Sequence, residues 1–253
     1  MKKSTRFTVQ RLQRRREPFR QDGATIVEFT ILCPFALLLV LGIIQLGLML
    51  SAKEVVNEAA FLAARAGAVT NANRDTRTPG NVMRNVATKA LIPFYQDTTD
   101  TNDYTRLATA LGRATGDTFC IPLVKCYLDI QILNPTPEAF QDFGLVSNGL
   151  QNHTYIPNDN LEYRSRTPGS NSKLTVQDAN ALKIKMTYGY EIKVPLMQTV
   201  IKSVMCAFDS GVEGFGRGDN VPTGGSDCLQ FYNQGRIPIV AYATVQMQTP
   251  AWQ

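Results

Sequence analysis

Histidine is nearly missing from this sequence: His153 is the only one in 253 residues, and it stands in an Asn/Pro-rich stretch. That takes the commonest general base and the commonest metal ligand out of any reading. There is no Cys-x-x-Cys pair, Walker loop, Gly-x-Ser-x-Gly or His-Glu-x-x-His pattern either. The chain therefore reads as a non-enzyme without metal or cofactor. Two fragments imitate catalytic motifs. Ser170-Asn-Ser-Lys173 has a Ser-x-x-Lys spacing, but it lies in a loop and lacks the Ser-Asp-Asn and Lys-Thr-Gly partners. Gly214-Phe-Gly216-Arg-Gly218-Asp219 is glycine-rich, yet no strand precedes it and no helix follows at the distance a phosphate cradle needs.

Charge is the second scarcity, and it is local. From Phe29 to Leu50, 22 residues pass without one charged side chain. As a helix that run extends about 33 Å, against a hydrocarbon thickness of about 30 Å, so one membrane span is expected. The segment before it is the opposite. Lys2, Lys3, Arg6, Arg11, Arg14, Arg15, Arg16 and Arg20 stand against Glu17 and Asp22, a net +6 in a chain whose total is +5. The basic character thus belongs to a membrane-flanking leader and says nothing of nucleic acid, which is not an expected partner. By the positive-inside rule the leader, residues 1–23, stays in the cytoplasm, and everything after about Ser51 is exported to the periplasm or beyond. A secretory signal peptide would have a shorter apolar core and a small-x-small site at its end. Leu50-Ser51-Ala52-Lys53 offers no such site.

Between leader and span lies Gly23-Ala-Thr-Ile-Val-Glu28-Phe29: a glycine, small or apolar residues, one glutamate, then the membrane-length run. This layout resembles a type IV prepilin processing site. Cleavage after Gly23 would make Ala24 the new amino terminus, with its ammonium group a few residues from Glu28. A carboxylate at a membrane face is costly unless paired. A lone Glu could snorkel to water, but the combination with Gly23, the leader and the run favours pairing with an amino terminus, including that of a neighbouring subunit. Pro34, inside the span, removes a backbone hydrogen bond and kinks or loosens one turn. It reads equally as a flexible point for extraction from the bilayer and as an ordinary kink.

Residues 23 to about 66 resemble the TadE family of pilus-assembly pseudopilins, of the tight-adherence (Tad/Flp) branch of type IV pilus systems. The resemblance rests on Gly23, Val27-Glu28-Phe29, Pro34, Leu41-Gly42-Ile43-Ile44, Gly47, and the stretch Asn57-Glu58-Ala59-Ala60 to Ala63-Ala64-Arg65-Ala66. It covers under a fifth of the chain. It implies a minor pilin-like subunit, processed by a prepilin peptidase at Gly23/Ala24 and using Glu28 and Phe29 as the assembly contact. The implied partners are other pilins, the Tad assembly machinery and the lipid bilayer of the inner membrane. Gln45 is a departure, since members often carry Glu there. The alternative is an uncleaved single-pass anchor with a periplasmic scaffolding or adhesive domain.

The helical pattern continues beyond the span. Val55, Val56, Ala59, Leu62, Ala63 and Ala66 keep one face, so a single helix is expected from about Thr25 to Val69, packed on a sheet as in pilin-like folds. Residues 24–69 form this segment and 70–253 an exported α+β domain with a small antiparallel sheet. Within it, helices are expected over 81–91, 103–114 and 196–208, strands over 123–133, 181–194 and 237–247, and long loops over 134–172. Cys33 falls in the span. Cys120, Cys126, Cys206 and Cys228 fall on the exported side, where disulfides persist. Of their three possible pairings, Cys120 with Cys126 and Cys206 with Cys228 are expected, because each closes a local loop.

Overall fold

The computed structural model describes residues 22–72, 81–96, 102–118, 126–147, 153–208 and 231–253, with backbone alone for 22–25 and 206–208. The chain divides into two compact units, Met1–Val40 and Leu41–Gln253. Helix α1 (Asp22–Val69) contributes to both. In the first unit its side chains from Ile26 to Val40 are exposed, apart from a half-buried Leu38. This is the one helix among the described residues long and apolar enough to cross a membrane.

In the second unit α1 changes character. Ala52, Val56, Ala59, Ala60, Ala63, Ala64 and Ala68 are all essentially buried. Their steps of three and four trace one face of a 3.6-residue helix. The expected face is therefore rotated slightly: Val55, Leu62 and Ala66 sit half-buried at its edge. The smallest side chains take the centre because they let helix and sheet approach closely. A Cβ on Gly67 would lie 2.4 Å from Met83 Sδ and 2.8 Å from Leu182 Cδ2.

The sheet under this face is three antiparallel strands in the order β1 (Leu128–Asn134), β4 (Ala181–Glu191), β5 (Arg236–Gln246). β4 and β5 pair without a break from Ala181↔Gln246 to Glu191↔Arg236. Along β4 every even residue from Leu182 to Tyr190 is buried, the set that lies on one face of a strand, and Lys185 and Gly189 on the other face are buried as well. On β1 the register shifts between Ile132 and Asn134. Helices α2 (Val82–Ala90) and α3 (Asp103–Thr118) precede β1. Asn81 caps α2 by accepting the Arg84 N–H at 3.2 Å.

Residues 134–172 are not the long loops expected from their Asn, Pro, Gly and Ser content. They hold α4 (Pro137–Phe143) and strands β2 (Leu145–Val146) and β3 (Thr154–Ile156), which form a second antiparallel sheet with β6 (Ala251–Trp252). The start of α4 follows a rule: Thr136 accepts the Ala139 N–H at 3.2 Å, and Pro137 sits where no N–H is needed. The strands are two and three residues long, too short for any periodicity. A one-turn helix, α5 (Val176–Ala179), is fixed by a reciprocal Thr175–Asp178 capping box. Helix α6 (Met197–Phe208) follows β4. Otherwise the expected order of helix, helix, strand, strand, helix, strand is that of the molecule, which is α+β. The linker after Ala72 and the glycine-rich 211–225 stretch lie outside the described residues.

The end of α1 is closed from far away in sequence. Asn71 and Ala72 turn left-handed (φ 60° and 49°), and the Ala72 N–H returns to Gly67 O at 2.9 Å. Ala68 O, an orphan carbonyl of the last turn, accepts the backbone N–H groups of Gln248 at 3.0 Å and Thr249 at 3.2 Å. Asn71 O accepts the Trp252 N–H at 3.2 Å.

Candidate functional site

The residues singled out from sequence fall mostly on α1. Gly23 and Ala24 lie in its first turn. Glu28 follows Ala24 by four positions, one turn on, and its side chain is exposed. Phe29 is 69% exposed and Phe35 equally so. Thr30 spends its hydroxyl on Ile26 O at 2.8 Å. Pro34 lies within the helix, which continues past it. Cys33 is a free, exposed thiol. The structure thus sets Gly23, Ala24, Glu28, Phe29 and Pro34 along one helix, with an apolar surface that water does not suit.

Of the other cysteines, Cys126 is disulfide-bonded. Cys120 and Cys228 lie outside the described residues, and for Cys206, on α6, only the backbone is described. Their pairing is not on view. Arg84, buried beside Cys126, donates through one guanidinium nitrogen to Leu128 O at 3.0 Å and to Thr118 O, joining α2, the end of α3 and the start of β1.

Sequence reasoning left Gln45 as a mere departure from the family pattern. In the structure it is 2% exposed, and its Oε1 accepts the Val194 N–H at 3.2 Å, joining α1 to the connection between β4 and α6. The atom facing an N–H must be the amide oxygen, which fixes the orientation of the group. Its Nε2 has no hydrogen-bond partner among the described residues. A glutamine in an uncharged run was the available signal, because a polar group in apolar surroundings needs a partner.

A second site stands away from α1. Arg236, opposite Glu191 in the β4–β5 ladder, bonds Asp117 at 2.6 Å and Gly189 O at 3.0 Å, with its guanidinium 3.9 Å from the centre of the Tyr127 ring. Beside it the Tyr188 hydroxyl donates to the Tyr95 hydroxyl at 2.9 Å, and Phe94 stacks on Tyr188 at 5.6 Å. Burial raises both phenols, that of Tyr188 to about 12. An open cleft of about 650 Å³ adjoins these groups, lined by Phe94, Tyr95, Arg113, Asp117, Glu191 and Lys193. Its charges alternate in sign, so it has no net preference for an anion or a cation.

The Ser170–Lys173 fragment is accounted for locally. Asp142 accepts the Ser172 N–H and hydroxyl, both at 2.7 Å, and the Asn171 side-chain amide at 2.8 Å. These bonds, led by that of the Ser172 N–H, hold the carboxyl down at about 2. Lys173 Nζ turns back to Ser170 O at 2.7 Å. His153 lies against Trp252, ring centres 5.6 Å apart. No group of three or more His, Cys, Asp or Glu suited to a metal occurs among the described residues.

No curated protein and no solved structure matches the chain. Residues 23–65 match a family model described as TadE-like protein, over about a sixth of the sequence. The chain carries a TadE-like segment, and it lies wholly within α1.

Proposed function

We propose that this protein is a minor pilin-like subunit that takes part in assembling a Tad/Flp-type pilus. A prepilin peptidase cuts it after Gly23, and it is held in the inner membrane by one span with its larger domain exported. The observation that carries the reading is the TadE-like match on a single helix whose apolar surface is exposed up to Val40 and whose alanine face is buried from Ala52 onward. An exposed span suits a bilayer and later the company of other subunits; a buried outer half suits a pilin-like domain. Glu28 is assigned the contact with an amino terminus, its own or a neighbour's, and Phe29 packs beside it. The chain is assigned no enzymatic role and no cofactor. On the exported side, Cys120 is assigned to Cys126 and Cys206 to Cys228.

Two substitutions test it. Gly23→Leu places a branched side chain at the scissile peptide, and the leader should be retained. Wild-type protein recovered from cells should begin at Ala24 by amino-terminal sequencing. Glu28→Gln keeps the shape and removes the charge, so cleavage should stay normal while piliation, scored by electron microscopy, falls. Such a loss follows because an ammonium in low dielectric then lacks its counter-charge. An intact leader in wild-type cells would instead identify an uncleaved anchor, and normal filaments from Glu28→Gln cells would remove the pairing role.

A further inference from the structure

Helix α6 carries an apolar stripe that the other described residues leave partly uncovered. The stripe is Met197, Val200, Ile201, Val204 and Met205, with Leu196 just ahead of the first turn. At 100° per residue the five helical positions span an arc of about 140°. Met197 is buried, and Ile201 and Met205 are half-buried, whereas Leu196, Val200 and Val204 are 59%, 42% and 46% exposed. The opposite side carries Gln198 and Lys202. The stripe begins beside a strained residue: Leu196 has φ 67°, a left-handed conformation unfavourable for a leucine that persists only where its surroundings enforce it.

Its position along α1 identifies what faces it. β4 descends beside the helix, with Leu182 against Gly67 and, past the strand's end, the Val194 N–H on Gln45. Twelve extended residues cover about 40 Å and the matching helical stretch about 33 Å, so the two run side by side. One step on, Met197 Sδ lies 4.0 Å from where a Cβ of Gly42 would be. Gly42 precedes Leu50, the outer end of the uncharged run, by eight residues, or about 12 Å of helix. That is near the depth, about 5 to 10 Å into the headgroup and acyl boundary, at which amphipathic helices lie in an interface. The geometry points to α6 as a second membrane contact: it rests in the outer leaflet beside the span, with Leu196, Val200 and Val204 against acyl chains and Lys202 turned toward headgroups. This rests on the reading of the Phe29–Leu50 run as a membrane span.

The test uses the full chain reconstituted in phosphatidylcholine–phosphatidylglycerol vesicles, with or without brominated acyl chains, which quench indole emission on contact. Trp252, the only tryptophan, is replaced by Phe, and single reporters are placed as Leu39→Trp, Val200→Trp and Lys202→Trp. The first reports the span itself. Brominated lipid should remove most of the emission at position 39 and at position 200, and little at position 202. Quenching at 39 without quenching at 200 overturns the proposal, leaves the span reading standing, and gives the stripe to a protein neighbour. Equal quenching at 200 and 202 overturns the sided arrangement. No quenching at 39 sinks the span reading and this proposal with it.

Discussion

At Gln45, one hydrogen bond decides how a polar side chain survives in an apolar run. Its Oε1 satisfies the Val194 N–H, and both groups are buried. Gln45→Leu removes the acceptor and leaves that N–H unmet, which costs about 1 to 3 kcal/mol. Urea unfolding in detergent, followed by the fluorescence of Trp252, should show that loss, whereas Gln45→Glu should retain more of it because a carboxylate also accepts. An unchanged midpoint for Gln45→Leu would mean that the bond is not formed in solution. The sequence announces such a residue only as an oddity. The N–H it serves lies 149 positions away, and no local rule links the two.

Among the elements, α1 shows most clearly what residue order reveals. Its uncharged run, its length and the alanine periodicity after Lys53 are legible because they repeat at the helical period many times over. The exact buried face is less so. Val55 and Ala66 look as apolar as Ala60 and Ala64, and only the approach of the sheet, down to Gly67 against Leu182, selects between them. That close fit makes a prediction. Ala63→Leu adds three carbons where no space remains, so it should destabilise the folded unit by about 1 to 3 kcal/mol. Phe61→Leu, on the exposed side, should do little. Thermal or urea melts of the two variants compare them directly, and equal midpoints would contradict tight packing at Ala63. Elements of two to four residues, such as β2, β3, β6 and α5, were illegible for the converse reason: they are too short to repeat anything, and pairing partners far along the chain define them.

For the molecule as a whole, the aromatic cluster beside β4 sets a limit in alkali. Tyr95 and Tyr188 both titrate above their ordinary value near 10 when folded, because burial opposes the phenolate. The folded state therefore holds protons that the unfolded chain gives up. Stability is fully present below about pH 10 and declines as pH rises toward 12, the folded value of Tyr188. The loss from Tyr188 amounts to about 2 to 3 kcal/mol. Circular dichroism across this range should show it, and Tyr188→Phe should flatten the profile while costing some stability at neutral pH. A profile as steep in the variant would place the alkaline weakness elsewhere. The site itself was only half visible beforehand: the membrane side was written in charge and hydropathy, whereas the Arg236–Asp117 pair and its cleft join residues 119 positions apart.

The last turn of α1 has a bearing on biosynthesis. Its Ala68 carbonyl is met by Gln248 and Thr249, and Asn71 O just beyond it by Trp252, with Thr249 standing 181 positions beyond Ala68. A ribosome that has delivered the whole helix and most of the domain has still not delivered the groups that finish the helix, nor β5, which borders β4 along its full length. On the proposed topology, a chain threading an export channel would travel without its completed sheet, and closure would wait until residues 236–252 arrive on the far side. If the domain is exported as proposed, a version cut short before Arg236 should cross the membrane yet be cleared by proteases there.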